Sequence, residues 1–409
     1  MTYSFKFGRL ENLAHELPVI RSLEDRYRHT YILGTTGTGK TSLMMHMALN
    51  DINQDCACIF IDPKGEHTQA LYNLIPDKDR ATYFSYDHPS LTINPLRKKG
   101  YRLSDLADEF AEILDIVIKQ TSPANPPASE NMKEILAQAI SVIAEPDRNI
   151  DFLYEFLRYP DVRQKYLPRG ASRYWDNFGK FARGGKEPDE VMTAKRIAVR
   201  LNKFVNDDRF RRIVTGENQL DIADIAKNRR VILVDASGMA MDKQVYITSL
   251  FSFALKSYCV FQRQTKEHPL MFYLDECWMG INDTFDFLLS FSRSYKIGLT
   301  LAHQNIQQFA DYRTVKRIVS NCNTKVAFFP AGADDARMMA EIYGLEQEDF
   351  RTLEKYQAWV RIGNKNSLVK TYPPPKPEKL EVPGEIPDAL PGRVEPPKVN
   401  FLRDCWFSC

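Results

Sequence analysis

The 409-residue chain lacks several features that would assign it to a common class of protein. Its net charge is only +2 at pH 7, so composition implies neither nucleic acid nor an anionic membrane as a partner, and any DNA-binding surface must be local. No apolar run reaches the roughly 18 residues that span a bilayer. Residues 2–6 have no apolar segment of the kind that signal peptides carry. We therefore expect a cytoplasmic protein without a transmembrane segment of its own.

The seven cysteines suggest neither a disulfide framework nor a metal site. Cys56 and Cys58 share one face of a predicted strand but lack a second pair of ligands, so we expect reduced, buried thiols. The chain ends Cys405-Trp406-Phe407-Ser408-Cys409. A prenylation signal needs cysteine fourth from the end, where this chain has Trp406, so that modification is excluded.

Hydrophobic residues make up 44% of the chain and charged residues 26%, as in ordinary globular proteins. Several short runs are apolar on both faces, which favours a parallel sheet covered by helices on both sides. We predict strands at residues 31–33, 57–61, 231–234, 270–274, 297–302, 326–329 and 358–362. Helical patterns separate most of them, at 245–261, 283–294 and 334–343. This alternation predicts an α/β doubly wound domain with a mostly parallel sheet.

The strand signal disappears between about residues 102 and 217. An apolar stripe predicts an amphipathic helix with Ser104 as its N-cap, carrying Leu106, Phe110, Ile113, Leu114 and Val117. Further helical patterns lie at 131–144 and 151–157, after a Pro-rich break at 121–129. We predict a nucleotide-binding domain of residues 1–104 and 216–372, an all-α insertion of 105–215, and a flexible Pro-rich tail of 373–409.

The most specific motif directly follows the predicted strand at residues 31–33. Gly34-Thr35-Thr36-Gly37-Thr38-Gly39-Lys40-Thr41 has the G-x-x-x-x-G-K-T spacing of a phosphate-binding loop, and a helix is predicted from Ser42. Its glycines allow backbone N–H groups to face phosphate oxygens, and the positive end of the helix points to the same place. We expect Lys40 to reach the β- and γ-phosphates and the Thr41 hydroxyl to hold Mg²⁺. Residues 34–42 are thus candidate ATP-binding residues.

An acidic pair ends the predicted strand at 270–274. Asp275 would help to hold Mg²⁺, and Glu276 would orient and polarise the attacking water. A strand-end carboxylate that only caps a helix is the simpler alternative. Asp235 ends a similar strand, but Ala236 and Ser237 follow it, so it has no adjacent glutamate. We therefore prefer Asp275 and Glu276 as the catalytic pair.

Two further strand ends carry polar residues. Gln304 follows the strand at 297–302 and would face the crevice where open α/β sheets bind ligands. There it could contact the γ-phosphate or the attacking water, unless it is an ordinary loop glutamine. His303 is expected to be structural. The turn Asp62-Pro63-Lys64-Gly65-Glu66 brings carboxylates near the same crevice, without a role that the residues alone define.

The order of these motifs resembles the HerA/FtsK superfamily of hexameric DNA-pumping ATPases. The motifs are the phosphate-binding loop, Asp62-Pro63-Lys64-Gly65-Glu66, Asn94-Pro95-Leu96, Leu274-Asp275-Glu276 and Ala302-His303-Gln304. Within that superfamily the chain is most similar to type IV secretion coupling proteins of the TraD/TraG kind, over residues 29–104 and 216–372. The insertion lies where coupling proteins have an all-α domain. The segments at 292–299 and 320–326 also resemble stretches of these proteins.

The resemblance implies a RecA-like P-loop NTPase that uses ATP and Mg²⁺ and acts as a hexameric ring to move DNA. It also implies that Arg293 reaches the γ-phosphate of the neighbouring subunit. The partners would be a relaxase-bound DNA and a membrane secretion channel in conjugation. Coupling proteins usually carry an N-terminal transmembrane pair, whereas about 30 residues precede the loop here. We therefore expect either docking on a separate inner-membrane partner or a soluble relative of the family.

Two basic patches are candidates for contact with the DNA backbone. Arg196, Arg200 and Lys203 recur on one helix face, opposite an apolar stripe, and Arg209, Arg211 and Arg212 follow. A second cluster comprises Arg97, Lys98, Lys99, Tyr101 and Arg102. Such patches can follow phosphates without reading bases. A solvated helix face is the competing interpretation.

Two alternative functions remain open at the level of sequence. The first is a non-conjugative DNA translocase for end processing or genome packaging. The second is a nucleotide-switched module that recruits cargo without translocating it. ATP turnover that DNA fails to stimulate would favour the second.

Overall fold

A computed structural model describes residues 3–11, 17–65, 67–98, 100–121, 130–167, 170, 172–180, 187–261, 268–281, 283–309 and 312–378. Several predictions fall outside these residues: Glu66, Lys99, most of the Pro-rich break, and the tail beyond residue 378 with its cysteines.

The strands are β1 Phe5–Lys6, β2 Arg9–Leu10, β3 Val19–Ile20, β4 Thr30–Leu33, β5 Ala57–Asp62, β6 Ala81–Ser85, β7 Val231–Asp235, β8 Leu270–Leu274, β9 Ile297–His303, β10 Thr324–Ala327, β11 Gln357–Ile362 and β12 Lys365–Lys370. The helices are α1 Leu23–Arg26, α2 Lys40–Asn53, α3 Thr68–Leu74, α4 Leu103–Thr121, α5 Glu130–Val142, α6 Ile150–Arg158, α7 Pro160–Tyr166, α8 Arg173–Asn177, α9 Asp189–Val205, α10 Asp208–Val214, α11 Ile222–Lys227, α12 Met241–Phe261, α13 Asp283–Phe291, α14 Tyr312–Asn321, α15 Ala333–Tyr343 and α16 Gln347–Arg351.

Ten of these strands form one sheet in the order β2-β12-β11-β10-β4-β9-β8-β5-β7-β6. The pairs from β10 to β6 are parallel, whereas β11, β12 and β2 extend the sheet in antiparallel fashion. The predicted α/β fold with a mostly parallel sheet is therefore confirmed. Because parallel strands end at the same edge, the residues after β4, β5, β8 and β9 lie next to one another.

Several predicted bounds were wrong. Ser104 is not an N-cap, because α4 already begins at Leu103. β10 ends at Ala327, two residues before the predicted end. There the backbone N–H of Phe328 donates to the carbonyl of Leu33 at 2.8 Å, and Phe329 accepts from Thr35 at 2.8 Å, which draws the chain toward the phosphate-binding loop.

The described residues divide into two compact units, one within 1–90 and 221–383 and the other within 91–220. Across its described residues the second unit contains helices α4–α10 and no strand. The sequence placed the borders at 104/105 and 215/216. Asn94 explains part of the difference, because its amide donates to the carbonyls of Arg148 at 3.1 Å and Gly216 at 2.9 Å and holds residues 91–104 in the helical unit.

The core of the first unit packs α2 against the sheet. Met44 and Met47 of α2 are buried in one hydrophobic cluster with Ile32 of β4 and Phe60 of β5. α12 is buried along most of its length. No helix in the described ranges has the length and apolar character that a bilayer crossing requires.

Candidate nucleotide-binding site

The phosphate-binding loop connects β4 to α2. The Thr38 hydroxyl donates to the carbonyl of Thr35 at 2.8 Å, and the Lys40 ammonium donates to the same oxygen at 3.1 Å. Gly39 has φ +122°, and a Cβ there would lie 2.8 Å from the Tyr356 ring, so glycine is required. Lys40 is only 6% exposed. Burial lowers the pKa of Lys40, and the nearby charges of Asp275 and Glu276 oppose that shift.

Asp275 meets the first turn of α2, next to Thr41. The Thr41 hydroxyl donates to Asp275 Oδ2 at 2.8 Å, and the other carboxylate oxygen accepts from the Glu276 backbone at 2.9 Å. Burial raises the pKa of the Asp275 carboxyl, and the charge of Glu276 adds to that shift. A hydroxyl and a carboxylate oxygen are the ligands that Mg²⁺ prefers. The residues therefore fit the ion that the motif implies.

Glu276 is the centre of a hydrogen-bond network. The residue is 3% exposed, and its backbone is left-handed, with φ 51°. Its carboxylate accepts hydrogen bonds from Lys64 Nζ at 2.9 Å and from Trp278 Nε1 at 3.0 Å. It also accepts from Gln304 Nε2. Burial raises the pKa of Glu276, but the hydrogen bond and charge of Lys64, with Gln304 and Trp278, bring it below its usual range. The group is thus held as a carboxylate.

Gln304 links this acid to the phosphate-binding loop. Its Oε1 accepts from the Thr36 hydroxyl at 2.5 Å while its Nε2 donates to Glu276. The ladder between β4 and β9 explains the position, because Leu33 pairs with His303 and the next residues leave the sheet together. A change at the loop can therefore reach Glu276 through one side chain.

His303 is buried, and its two ring nitrogens contact groups outside this network. One ring nitrogen lies 2.6 Å from the Tyr31 hydroxyl and the other 3.2 Å from the carbonyl of Asn305. Burial lowers the pKa of His303 to about 3, so the ring is neutral at physiological pH. The geometry agrees with the structural role expected for it.

The Asp62 turn has a role that sequence reasoning missed. Asp62 accepts from the backbone of Lys64 at 2.9 Å and of His67 at 3.3 Å, which shapes the turn and directs the Lys64 side chain to Glu276. Burial and the charge of Asp275 raise the pKa of Asp62 to about 6. The lysine in the Asp-Pro-Lys-Gly turn was the available signal, yet only the fold reveals its partner.

The rival carboxylate, Asp235, lies away from the loop. β7 is separated from β4 by β5, β8 and β9 in the sheet. Asp235 accepts from the hydroxyls of Tyr83 and Ser237 at 2.5 Å each. A Cβ at Gly65 would lie 2.2 Å from Asp235 Oδ1, so Asp235 packs against the turn that carries Lys64. It has a supporting position, whereas Asp275 contacts the loop.

Within one chain, Arg293 lies far from the phosphate-binding loop, Glu276 and Gln304. It is exposed in a short 3₁₀ turn, Ser292–Tyr295, that precedes β9, whereas Gln304 follows β9. The seven residues of β9 separate the two ends by roughly 20 Å at about 3.3 Å per residue. Across the described residues no carboxylate pairs with Arg293, and Asp286, its predicted alternative partner, pairs with Arg317. Arg293 thus lies at the edge of the sheet opposite its own loop.

The basic residues of the helical unit differ in their availability. Arg196 and Lys203 of α9 are exposed, and Arg200 is half-buried with its guanidinium 3.1 Å from Met132 Sδ. The second cluster is largely neutralised by carboxylates, through the ion pairs Arg97–Glu217, Lys98–Glu109 and Arg102–Asp105. The α9 face is therefore the better candidate for a phosphate backbone.

Comparisons with known proteins place the chain in a family and show which structures share its fold. Residues 13–367 match the family model of the type IV secretion-system coupling protein DNA-binding domain. No curated protein sequence matches significantly. Among solved structures, the bacterial conjugative coupling protein TrwBΔN70 is similar with a TM-score of 0.63 at 11% identity, over 85% of this chain and 86% of that one.

VirB4 of Thermoanaerobacter pseudethanolicus is similar with a TM-score of 0.62 at 16% identity, over 91% of this chain and 97% of that one. TrwB in complex with ADP and Mg²⁺ has a TM-score of 0.62 at 12% identity, over 89% of each chain. At these identities the structures show a shared fold. The family model covers most of the sequence, and the chain therefore belongs to the type IV secretion-system coupling protein DNA-binding domain family.

Proposed function

We propose that the chain is a Mg²⁺-dependent ATPase that moves DNA toward a type IV secretion channel. The observation that carries the proposal is the meeting of the phosphate-binding loop with an acid pair: Thr41 bonds to Asp275 at 2.8 Å, and Thr36 reaches Glu276 through Gln304. The TrwB structures with an ATP analogue and with ADP and Mg²⁺ support this ligand choice by analogy.

Each residue has a distinct role in the proposed reaction. Thr41 and Asp275 would hold Mg²⁺, which would neutralise negative charge on the phosphates. Lys40 binds the same phosphates as a cation. Glu276 orients and polarises the attacking water, once the γ-phosphate draws Gln304 away from its carboxylate. Gln304 thereby couples the state of the nucleotide to the acid.

Catalysis is proposed to require a neighbouring subunit. Arg293 is exposed and lies at the edge of the sheet opposite its own loop, so its guanidinium is available to a second chain. An arginine supplied in trans stabilises charge on the transferred γ-phosphoryl and is worth about 10³–10⁵ in rate. A closed ring, in our proposal a hexamer, gives every loop such a neighbour.

DNA is the proposed cargo, held by its phosphates. The exposed cations Arg196 and Lys203, with half-buried Arg200, lie on one face of α9 in the all-α insertion. Since these cations would contact phosphates and not base edges, binding is expected to be independent of sequence and sensitive to salt. In conjugation the DNA would arrive with a bound relaxase, and a membrane protein of the channel would hold the ring at the inner membrane.

The deciding experiment measures ATP hydrolysis with and without single- and double-stranded DNA, together with the oligomer mass. We expect hydrolysis that DNA stimulates and that Lys40→Ala abolishes without loss of fold. Hydrolysis that survives Lys40→Ala would contradict the site. Turnover that ignores DNA would contradict translocation and favour a nucleotide-switched recruitment module.

Mixing of variants tests the role of Arg293 in trans. Arg293→Ala and Lys40→Ala subunits should each be inactive alone. A mixed ring contains interfaces with an intact Lys40 on one side and an intact Arg293 on the other, so activity should return. Arg293→Lys should not restore activity, because lysine lacks the planar fork. Absence of recovery in rings shown to be mixed would refute the role in trans.

A further inference from the structure

Tyr356 is held in a strained conformation against the phosphate-binding loop. Its φ of +67° is a left-handed conformation that bulky residues rarely adopt. The backbone N–H donates to the carbonyl of Thr38 at 2.8 Å, and the carbonyl accepts from the Thr371 N–H at 2.7 Å and hydroxyl at 2.9 Å. A Cβ at Gly39 would lie 2.8 Å from the Tyr356 ring. Three hydrogen bonds thus keep an aromatic ring on the loop despite the strain.

A second tyrosine, Tyr372, packs against α2 further from the phosphate-binding loop. Tyr372 follows Thr371 directly, and its ring meets the His46 ring edge to face with centroids 5.6 Å apart. His46 also contacts the carbonyl of Pro373 at 2.8 Å. Gly39 and His46 are seven residues apart and therefore lie on one face of the helix. The two tyrosines line that face over its first two turns.

Both rings retain surface for a ligand. Tyr372 is 38% exposed, and Tyr356 is half-buried. The ammonium of exposed Lys355 lies 5.2 Å from the centre of the Tyr356 ring, so a base on that face would displace this lysine. We call this pair the tyrosine platform. Partly exposed aromatic rings beside a phosphate-binding loop suit a flat aromatic group attached to the phosphates.

The sheet order decides which end of a nucleotide would reach these rings. Glu276 and Gln304 follow β8 and β9, on one side of β4. Tyr356 precedes β11 and Tyr372 follows β12, on the other side of β4. A triphosphate with its γ-phosphate toward Glu276 and Gln304 therefore points its sugar and base toward the tyrosine platform.

We propose that the tyrosine platform binds the purine base of the nucleotide by stacking. The inference rests on the proposed ATP site and adds the subsite that distinguishes a nucleotide from a bare polyphosphate. Stacking of a base on an aromatic ring is worth about 5- to 150-fold in affinity. Because stacking uses the face of the base and not its hydrogen-bonding edge, the platform accepts adenine and guanine alike.

The test compares the dissociation constants of Mg²⁺-ATP and Mg²⁺-tripolyphosphate, which lacks the base, by calorimetry. Tyr356→Asn removes one ring and places there a non-glycine residue that tolerates positive φ better than most others. Tyr372→Ala removes the other ring independently, which keeps the test valid if one variant fails to fold. Each should weaken ATP binding by about 5-fold or more and leave tripolyphosphate binding within about 2-fold.

Two controls define the result. Tyr356→Phe keeps the ring and should bind ATP as the original chain does, as should Tyr159→Asn, which alters a tyrosine that is 43% exposed in the helical unit. Unchanged ATP affinity in both platform variants, or equal losses for ATP and tripolyphosphate, would overturn the platform. If Lys40→Ala leaves both ligands bound as before, the proposed phosphate site fails, and the platform fails with it.

Discussion

The clearest stability prediction concerns a charge buried beneath the candidate site. Arg26 is 0% exposed and pairs with Asp51 of α2 at 2.8 Å, where Asp51 is also 0% exposed. The guanidinium further donates to the hydroxyls of Thr30 at 3.2 Å, Tyr273 at 3.0 Å and Thr300 at 3.1 Å. Replacing Asp51 by leucine removes the counter-charge without opening a large cavity. Arg26 then keeps only neutral partners.

The cost of Asp51→Leu follows from the burial of both groups. Removing one partner of a buried ion pair leaves an uncompensated charge and typically destabilises by about 3–5 kcal/mol. Tyr3 adds to the loss, because its hydroxyl donates to Asp51 at 2.5 Å. For a domain of this size, each kcal/mol lowers the melting temperature by about 2–4 °C. We expect a decrease of about 6–20 °C.

Thermal and denaturant unfolding of the purified variants would measure this loss. Asp286→Leu is the matched control, because it breaks a partly exposed pair with Arg317 and should cost about 1 kcal/mol or less. Arg26→Met combined with Asp51→Leu should recover most of the stability, since no charge then remains buried. Equal losses for Asp51→Leu and Asp286→Leu, or a double variant weaker than the single, would refute the reasoning.

Two further predictions concern ATP hydrolysis, and a third concerns DNA binding. Glu276→Gln should bind ATP but hydrolyse it about 10²–10⁴-fold more slowly, measured as phosphate release, because an amide cannot act as a base. Lys64→Met should move the acid limb of the pH–rate profile to higher pH: burial raises the pKa of Glu276 and Lys64 lowers it, so without Lys64 the carboxylate protonates at a higher pH. Neutralising Arg196, Arg200 and Lys203 together should weaken DNA binding evenly across sequences and reduce the salt slope by about two to three.

Each of these tests has a defined contrary result. A wild-type rate for Glu276→Gln would reject the acid-pair assignment and direct attention to Asp235. Lys195→Met is the control for Lys64→Met, because Lys195 is similarly exposed, at 44% against 43%, and pairs with Glu187 in the other unit. An acid limb that stays in place or moves down would exclude Lys64 as the partner that tunes Glu276. An unchanged salt slope would make the α9 face an ordinary solvated surface.

The sequence predicted the strands of the parallel sheet well, because each is a short apolar run bounded by turn residues. β8 has the predicted limits, and β5, β7 and β9 each extend one residue further. β6 and β12 were missed, as were the two-residue strands β1, β2 and β3. β12, Lys365–Lys370, has four charged or polar residues around the adjacent pair Leu368 and Val369, and resembles a surface loop until it pairs with β11.

The candidate site was only partly predictable. The loop and the acid pair are contiguous motifs, so the sequence displays them, and the parallel ladders bring them together. Lys64 and Trp278 could not be assigned, because their contact with Glu276 depends on the left-handed backbone of that residue and on the Asp62 turn. Tyr356 carries no local signal either, since its position follows from a hydrogen bond to Thr38 in a distant part of the chain.

Arg26 shows why a buried residue that stabilises several strands cannot be recognised from sequence. In the segment Arg21-Ser22-Leu23-Glu24-Asp25-Arg26 it resembles a surface charge, yet the fold places it beneath β4, β8 and β9. Those three strands lead to the phosphate-binding loop, the acid pair and Gln304, and Asp51 belongs to the helix that begins at Lys40. One guanidinium therefore bonds side chains of β4, β8, β9 and α2, four elements that lead to or begin at candidate catalytic groups. We therefore expect Arg26 to support the relative positions of these elements, although it is absent from the candidate site itself.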